Sequence, residues 1–419
     1  MDITSRQLLY LLSVAMETKT NSPKDTRLID YDRLFYLSGI HNVIPMIYQA
    51  LSKKQLITEI KPELAKAWRR LSVGYYVDQL RRTKEFLDVY DRLNHAGICA
   101  LVVKGVILRQ LYPEGEYRYS GDEDIYIRIR DFPKVDSILT SVGLRKVNNA
   151  GKGKLRQETV YENDKTGLRI EVHIELFDPT ITLFREMNQR FEQAFEHCSR
   201  TIIDGITLFT LSAEEHLLFL LLHSAKHFIT MGFGIRQVCD LVEFCNTFGS
   251  EIDFTVVWKQ VISLGYGVFM LNLFKIGSRY LGLEEEKLSY PSCFVEKDIH
   301  MEALLEDILH AGVFGKSDED QTRTCSLTLQ AVMADRNHAL KKYHKLQLIK
   351  ILFPGQEFMN NHFFYCRSRF LLPIAWLHRM VTYAIKIKNP IGMMCKAKRS
   401  IEIGRKRVAL LEEYKMIGT

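Results

Sequence analysis

Two aspartates, Asp122 and Asp124, stand one residue apart in GDEDIYI, after Gly121 and before an alternating apolar run. In an extended chain the side chains at i and i+2 share a face, so these two carboxylates project together. Further on, LRIEVHIEL places Glu171, His173 and Glu175 on one face and Val172, Ile174 and Leu176 on the other. The apolar set needs a core. The charged set needs water, partners or a metal, because unpaired charge is costly to bury. If the two strands are neighbours, Asp122, Asp124 and Glu171 converge. Three hard oxygen donors at that density suit Mg²⁺, with Mn²⁺ as a substitute, because such ions take carboxylates together with substrate phosphates. Ions held this way can activate an attacking oxygen and stabilise a pyrophosphate leaving group. Asp122, Asp124 and Glu171 are therefore both the candidate metal ligands and the candidate catalytic residues.

Upstream, Lys104-Gly105 falls at a strand-to-helix junction. A glycine there lets phosphate approach the backbone N–H groups of a helix N-terminus, and the lysine adds a positive charge. Arg118, in the loop ahead of GDED, can act in the same way. Each residue also has a plain reading. Carboxylates before a strand commonly serve as turn or cap residues. Glu171 can be a solvated strand residue, and Glu175 reads as a rim carboxylate. His173 is either a core histidine bonded to backbone or a contact to metal ligand or phosphate. His216, His223 and His227 share one helical face, and the last two have HxxxH spacing. Ser224 follows His223 where a zincin glutamate would stand, so this face reads as a cleft lining or as satisfied histidines rather than a zinc site. Arg236 and Asp240 are i, i+4 partners: either a helix salt bridge, or Arg236 reaches a substrate phosphate.

Periodicity outlines the elements that must position these groups. QLLYLLSVAM, residues 31–51 and the long run Glu63–His95 carry apolar residues at helical spacing, and Gly97 ends the last. ICALVV (98–103) reads as a buried strand, 105–112 as a short helix, PEGEYRYSG as a loop and 124–129 as a strand. DFPKVDSILTSVG fits a helix capped by Asp131, with Pro133 in its first turn and Gly143 after it. LRQETVYEN and LRIEVHIEL follow as strands around the turn DKTG, and GKGK (151–154) reads as a mobile loop. Ser212 with Glu215 forms a capping box for a helix over 213–230, followed by another over 235–248 and a mostly helical remainder. The expectation is an α+β fold: a small mixed or antiparallel sheet with flanking helices, N-terminal helices and a large C-terminal helical region. The expected divisions are 1–97, 98–210 and 211–419.

The 419 residues suggest two or three core-forming units, and 47% hydrophobic with 26% charged residues is ordinary for a globular protein. Fifty-seven Lys plus Arg against 50 Asp plus Glu is too small a surplus to mark a nucleic-acid binder. Eight scattered cysteines without a CxxC pair point to reduced thiols and a cytoplasmic setting. No basic n-region opens the chain, and the longest apolar stretch, HLLFLLLHSAKHFI, is too short and polar for a bilayer. The basic tail, Lys386, Lys388, Lys396, Lys398, Arg399, Arg405, Lys406 and Arg407, reads as a solvated face. Aromatics are sparse within it, so nucleic acid is not the favoured partner.

VVKGVILRQLYPEGEYRYSGDEDIYI followed by LRIEVHIEL resembles the nucleotidyltransferases of the DNA polymerase β type. More closely it resembles the bacterial uncharacterised nucleotidyltransferase family, with its pattern KG…YP…R…GDIDLLV and a later (D/E)-x-H. Lys104, Gly105, Tyr112, Pro113, Arg118, Gly121, Asp122, Asp124, Glu171 and His173 stand at the matching positions. A helical HxxxKH…G…R…D segment is matched by His223, Lys226, His227, Gly232, Arg236 and Asp240. The resemblance implies the polymerase β-type core and transfer of a nucleoside monophosphate from a nucleoside triphosphate to a hydroxyl acceptor, with release of pyrophosphate. It implies Asp122, Asp124 and Glu171 as catalytic metal ligands. It implies Lys104, Gly105, Arg118, Gly121, His173 and Arg236 as nucleotide-binding residues. It names no acceptor, which can be a small molecule, a protein or an RNA end. Two features depart from the pattern. The usual G-S or G-G pair is Lys104-Gly105, which removes a serine hydroxyl, and Glu123 replaces an apolar residue and adds charge beside the metal site. These departures motivate an alternative, a nucleotide- or partner-binding protein that has kept the fold and lost turnover.

Overall fold

The structure, a computed structural model, describes residues 1–18, 29–147, 157–295, 301–311, 371–386 and 404–414, with Gln356, Met359 and Met416 singly. The chain divides into two compact units. One is Met1–Lys226 with Phe233–Phe314, and the other is His227–Gly232 with Gly315–Thr419.

The first unit is built on a seven-stranded sheet in the order β3-β4-β5-β2-β1-β7-β6. The strands are β1 Leu101–Val102, β2 Glu123–Tyr126, β3 Arg145–Lys146, β4 Glu158–Glu162, β5 Arg169–His173, β6 Ser199–Ile203 and β7 Ile206–Thr210. β1 with β7 and β2 with β5 run parallel, and the other pairs run antiparallel. Helices α1 Ile3–Ala15, α2 Tyr31–Ile40, α3 Ile44–Lys53 and α4 Pro62–His95 precede the sheet. Within it lie α5 Val106–Arg109, α6 Phe132–Ser141 and α7 Thr182–Asn188. After it come α8 Ala213–Thr230, α9 Ile235–Phe248, α10 Phe254–Ser263, α11 Gly267–Ile276, α12 Ser292–Val295 and α13 Met301–Ala311. This is the expected α+β class, a mixed sheet with flanking helices. Among the described residues no helix is long and apolar enough to cross a membrane.

Strand alternation sets the core. Ile125 and Ile127 of the β2 segment and Ile170 and Val172 of β5 pack with Phe86, Tyr90 and Leu93 of α4 and with Val135 and Leu139 of α6. Each such side chain, fully buried, contributes about 1.5–3 kcal/mol. The same alternation turns Asp124, Glu171 and His173 to the other face.

Several elements differ from the sequence expectation. β2 ends at Tyr126, and a 3₁₀ turn over Ile129–Asp131 leads into α6. Asp131 stands at the N-cap but makes no side-chain cap bond, because its own φ and ψ of −88° and −12° are already helical. β5 stops at His173, so Glu175 lies beyond the strand. The β6–β7 hairpin was not anticipated. Asp204 and Gly205 both have positive φ, 48° and 79°, as a type I′ turn requires, and they place Ile203 opposite Ile206. The Ser212–Glu215 capping box is present, with the Glu215 N–H 3.3 Å from Ser212 Oγ. The loop 151–154 lies outside the described residues.

In the second unit, helix Leu372–Lys386 and a helical run over 404–413 are described. Arg405 and Lys406 are exposed as expected of the tail. Arg407 is not: it is buried, donates from Nη2 to the Phe228 carbonyl at 2.5 Å and lies over the Phe228 ring. Lys388, Lys396, Lys398 and Arg399 fall outside the described residues.

Candidate functional site

The parallel pairing of β2 with β5 builds the centre of the site. Asp124 stands opposite Glu171, and Tyr126 opposite His173. One ligand atom from each of Asp124, Glu171 and His173 can be chosen so that all lie within 4.8 Å of one another. His173 Nε2 is 3.0 Å from Asp124 Oδ1. Lys104, just past β1, brings Nζ to 3.2 Å from Asp124 Oδ2 and lies 6.0 Å from the centre of the Phe219 ring of α8. Asp122 directly precedes β2 and is half-buried. It stands outside the tight trio, yet its charge reaches Glu171, Lys104 and Arg236.

The electrostatics follow from this crowding. Burial would raise the Asp124 carboxyl, but the Lys104 ammonium and the His173 hydrogen bond outweigh it and hold Asp124 well below the usual carboxylate range. Glu171 goes the other way. Burial, then repulsion from Asp124 and Asp122, pushes it up to about 7, although Arg169 donates from Nε and Nη2 to Glu171 Oε1 at 3.1 and 2.8 Å. The donors fit a divalent cation. Asp124 Oδ2, buried and beside Lys104, has no aligned hydrogen bond, and neither has His173 Nδ1. A cation here would also offset the burial and the carboxylate repulsion that raise the Glu171 carboxyl. Two carboxylates plus Asp122 favour Mg²⁺, and the imidazole nitrogen widens the range toward Mn²⁺.

Glu123 adds no charge on the metal side. It points to the opposite face and is 2% exposed. Its Oε1 lies 2.5 Å from Arg109 Nη2, and its Oε2 accepts the Val106 N–H at 2.8 Å. This corrects two expectations. The carboxylate is neutralised inside the fold, and the α5 amide that was to greet a phosphate is already occupied. Gly105 is fixed by the same contact. Its φ is +58°, and a Cβ there would stand 1.9 Å from Glu123 Oε2. The turn is closed by the Ile107 N–H donating to the Lys104 carbonyl at 3.3 Å.

Arg118, a candidate for neutralising the triphosphate, is 2% exposed and its guanidinium grips Asp240, Nε to Oδ1 at 2.6 Å and Nη2 to Oδ2 at 2.7 Å. The Tyr112 hydroxyl donates to the same Asp240 Oδ1 at 2.7 Å. Asp240 therefore pairs across the fold and not with Arg236, its i, i+4 neighbour on α9. Arg236 donates from Nη1 to the Tyr119 carbonyl. The loop carrying Asp122 is held further by Arg109 Nη1 on Ser120 Oγ, 2.6 Å, and by the Ser120 N–H on Gln79 Oε1, 2.8 Å. Gly121 is exposed, and a Cβ added there meets nothing within 4 Å.

On α8, His216 is a satisfied histidine. Nε2 lies 2.9 Å from the Val103 carbonyl and Nδ1 3.2 Å from Thr210 Oγ1, and burial pushes its pKa down to about 4. It pins α8 to the end of β1. His223 lies against Phe219, ring centres 5.5 Å apart. Among the described residues the metal-type cluster is Asp124, Glu171 and His173, and none is formed by the α8 histidines. Two residues were missing from the sequence-derived site. Glu158 of β4 pairs with His173, with Oε2 3.9 Å from Nδ1. Lys226 is half-buried on the His216–Phe219–His223 stripe of α8; burial and then Lys104 lower its pKa, while Glu158, Asp124 and Glu171 pull it back up. Strand alternation in QETVY and helical spacing on α8 were the signals available for both.

No curated protein and no solved structure matches the chain. The family described as "Uncharacterised nucleotidyltransferase" matches residues 28–282, a span that contains every residue of the site above. With more than half of its length covered, the chain belongs to that uncharacterised nucleotidyltransferase family.

Proposed function

We propose that this protein is a Mg²⁺-dependent nucleotidyltransferase of the polymerase β type. It would move a nucleoside monophosphate from a nucleoside triphosphate to a hydroxyl acceptor and release pyrophosphate. The observation that carries this reading is the register of β2 and β5, which gathers Asp124, Glu171 and His173 beside Asp122 and Lys104. Asp122, Asp124 and Glu171 would hold the cation, with Mn²⁺ as a substitute. When bound, the ion supplies charge for the acceptor oxygen and the departing pyrophosphate. His173 orients Asp124 through its Nε2 bond. Glu171, the third carboxylate, would either bridge to the cation or help take the acceptor hydroxyl proton. Lys104 brings the nearest ammonium to the triphosphate, while Gly105 shapes the turn that presents it.

Calorimetry with ATP, CTP, GTP and UTP in the presence of Mg²⁺ tests the reading. Binding of at least one, abolished in Asp122→Ala/Asp124→Ala, is expected; binding of none overturns it. A second reading, a binding protein that has lost turnover, is favoured by Lys104 lying on Asp124 at 3.2 Å and by the occupied Val106 amide. Nucleotide binding without pyrophosphate release across a broad panel of hydroxyl acceptors would select it.

A further inference from the structure

The buried arginines beneath the Asp122 loop do not balance. Arg109 is neutralised by Glu123 and Arg118 by Asp240. Arg236 is 9% exposed, and among the described residues it pairs with no carboxylate. Its acceptor is a neutral one, the Tyr119 carbonyl. A buried guanidinium without a counter-ion is costly, and a fold that only needed to hold a carbonyl could do so with a neutral amide. Two donors are left over as well. Arg236 Nε and Arg118 Nη1 are both buried without a hydrogen-bond acceptor. Burial and then the nearby Arg118 guanidinium disfavour the charge on Arg236, while Asp240, already engaged by Arg118, and then Asp122 favour it. Two neighbouring cations with unmet donors and one surplus positive charge describe a seat for an anion with several oxygens. Arg236 is the second residue of α9, in the first turn, where a helix carries positive potential.

We propose that Arg236, with Arg118 Nη1, binds a phosphoryl group of the triphosphate beyond the one attacked, and so selects nucleoside triphosphates over monophosphates. This rests on the nucleotidyl-transfer reading for the identity of the anion. The α-phosphorus belongs at the Asp124–Glu171 cluster, where Lys104 stands. Arg236 is linked to that cluster through Asp122. A triphosphate with its α-phosphorus at the cluster carries further phosphoryl groups to offer Arg236; a monophosphate carries none. Anion binding by Arg236 would in addition be felt at the Tyr119 carbonyl, three residues before Asp122, and so at the loop that presents the metal ligand.

The probe is inorganic tripolyphosphate, set beside ATP and AMP, measured by calorimetry and by thermal melting on wild type and Arg236→Gln. A charged donor pair lost to phosphate should weaken tripolyphosphate and ATP by about 10- to 100-fold. AMP should change by less than about twofold, and unliganded Arg236→Gln should melt no lower than wild type, because a surplus buried charge has been removed. Tripolyphosphate and ATP affinities within about twofold of wild type overturn the subsite. So does an unliganded variant that melts well below wild type or fails to fold, since Arg236 is then a structural clamp. Arg236→Lys, which keeps the charge and loses Nε, should recover stability to wild type but only part of the affinity; full recovery overturns the bidentate seat. If wild type binds tripolyphosphate through Arg236 but no nucleotide, the subsite stands and nucleotidyl transfer falls. If nucleotide is bound and turned over equally well by Arg236→Gln, transfer stands and the subsite falls.

Discussion

Replacing Arg109 by Met should unbalance the protein most sharply. Arg109 and Glu123 face each other at 2.5 Å, both nearly inaccessible to water, and Arg109 also holds Ser120 Oγ at 2.6 Å. Arg109→Met keeps the volume and removes the charge. Glu123 then stays buried with one acceptor contact, the Val106 N–H at 2.8 Å. Breaking a buried pair on one side costs about 3–5 kcal/mol, mostly as uncompensated charge. The sign with pH follows from Glu123, whose carboxyl is already pushed up by burial and drawn back by Arg109. Without Arg109 it rises further. A carboxyl with a raised folded pKa binds its proton more tightly folded than unfolded, so stability falls as pH climbs above the unfolded value. The Arg109→Met deficit should therefore be small near pH 4.5 and grow toward pH 8, by up to about 1.4 kcal/mol per unit. Arg109→Met/Glu123→Gln should recover most of the loss, since both charges are gone. Urea unfolding of the four proteins of this cycle at pH 5 and pH 8 measures it. A pH-independent deficit below about 1 kcal/mol, or a double variant no better than Arg109→Met, would refute a buried neutralising pair.

Three further outcomes follow from named contacts. Gly105→Ala should lose about 2–4 kcal/mol in urea unfolding, since its φ of +58° and the Glu123 carboxylate 1.9 Å from the new Cβ both oppose the methyl; a loss under about 0.5 kcal/mol would contradict the turn geometry. Glu243, pushed up to about 8 by burial and then by Asp240 and Glu17, makes wild type lose stability as pH rises from the ordinary carboxylate range to about 8, with no further loss above it. Glu243→Gln should be the more stable protein at pH 9, by on the order of a few kcal/mol, and lose that advantage near pH 5. Mg²⁺ must displace a proton from Glu171, whose carboxyl sits at about 7, so Mg²⁺ affinity should rise from pH 6 to pH 8 and flatten above it. A flat calorimetric profile across that range would exclude Glu171 as a ligand.

The sheet face that carries the carboxylates was legible because a strand repeats every two residues. That period alone put Asp122 with Asp124 and Glu171 with His173; the β2–β5 register then joined the two sets. Glu123 was misplaced beside the metal site, although the same period sets it on the core side with Ile125. What it could not supply was Arg109, which sits fourteen residues upstream on a four-residue helix too short to show a pattern. Arg118 and Asp240 are 122 residues apart, so local spacing offered only the i, i+4 pairing of Asp240 with Arg236, and tertiary contact overrode it. The β6–β7 hairpin was readable: TIIDGITLF places Asp-Gly between alternating apolar residues, a strong hairpin signal. Arg236 was marked in the sequence as a phosphate contact by its place in the HxxxKH…G…R…D segment, but the donors that the fold leaves unmet, Arg236 Nε and Arg118 Nη1, have no sequence signature.

The most direct test of the central claim is calorimetric titration of the wild-type chain and Asp122→Ala/Asp124→Ala with each nucleoside triphosphate, with and without Mg²⁺. Wild type should bind at least one triphosphate, more tightly with Mg²⁺ than without, and the double variant should lose the Mg²⁺-dependent part. Triphosphate binding that is indifferent to both Mg²⁺ and the two aspartates would contradict a carboxylate metal centre on β2 and β5.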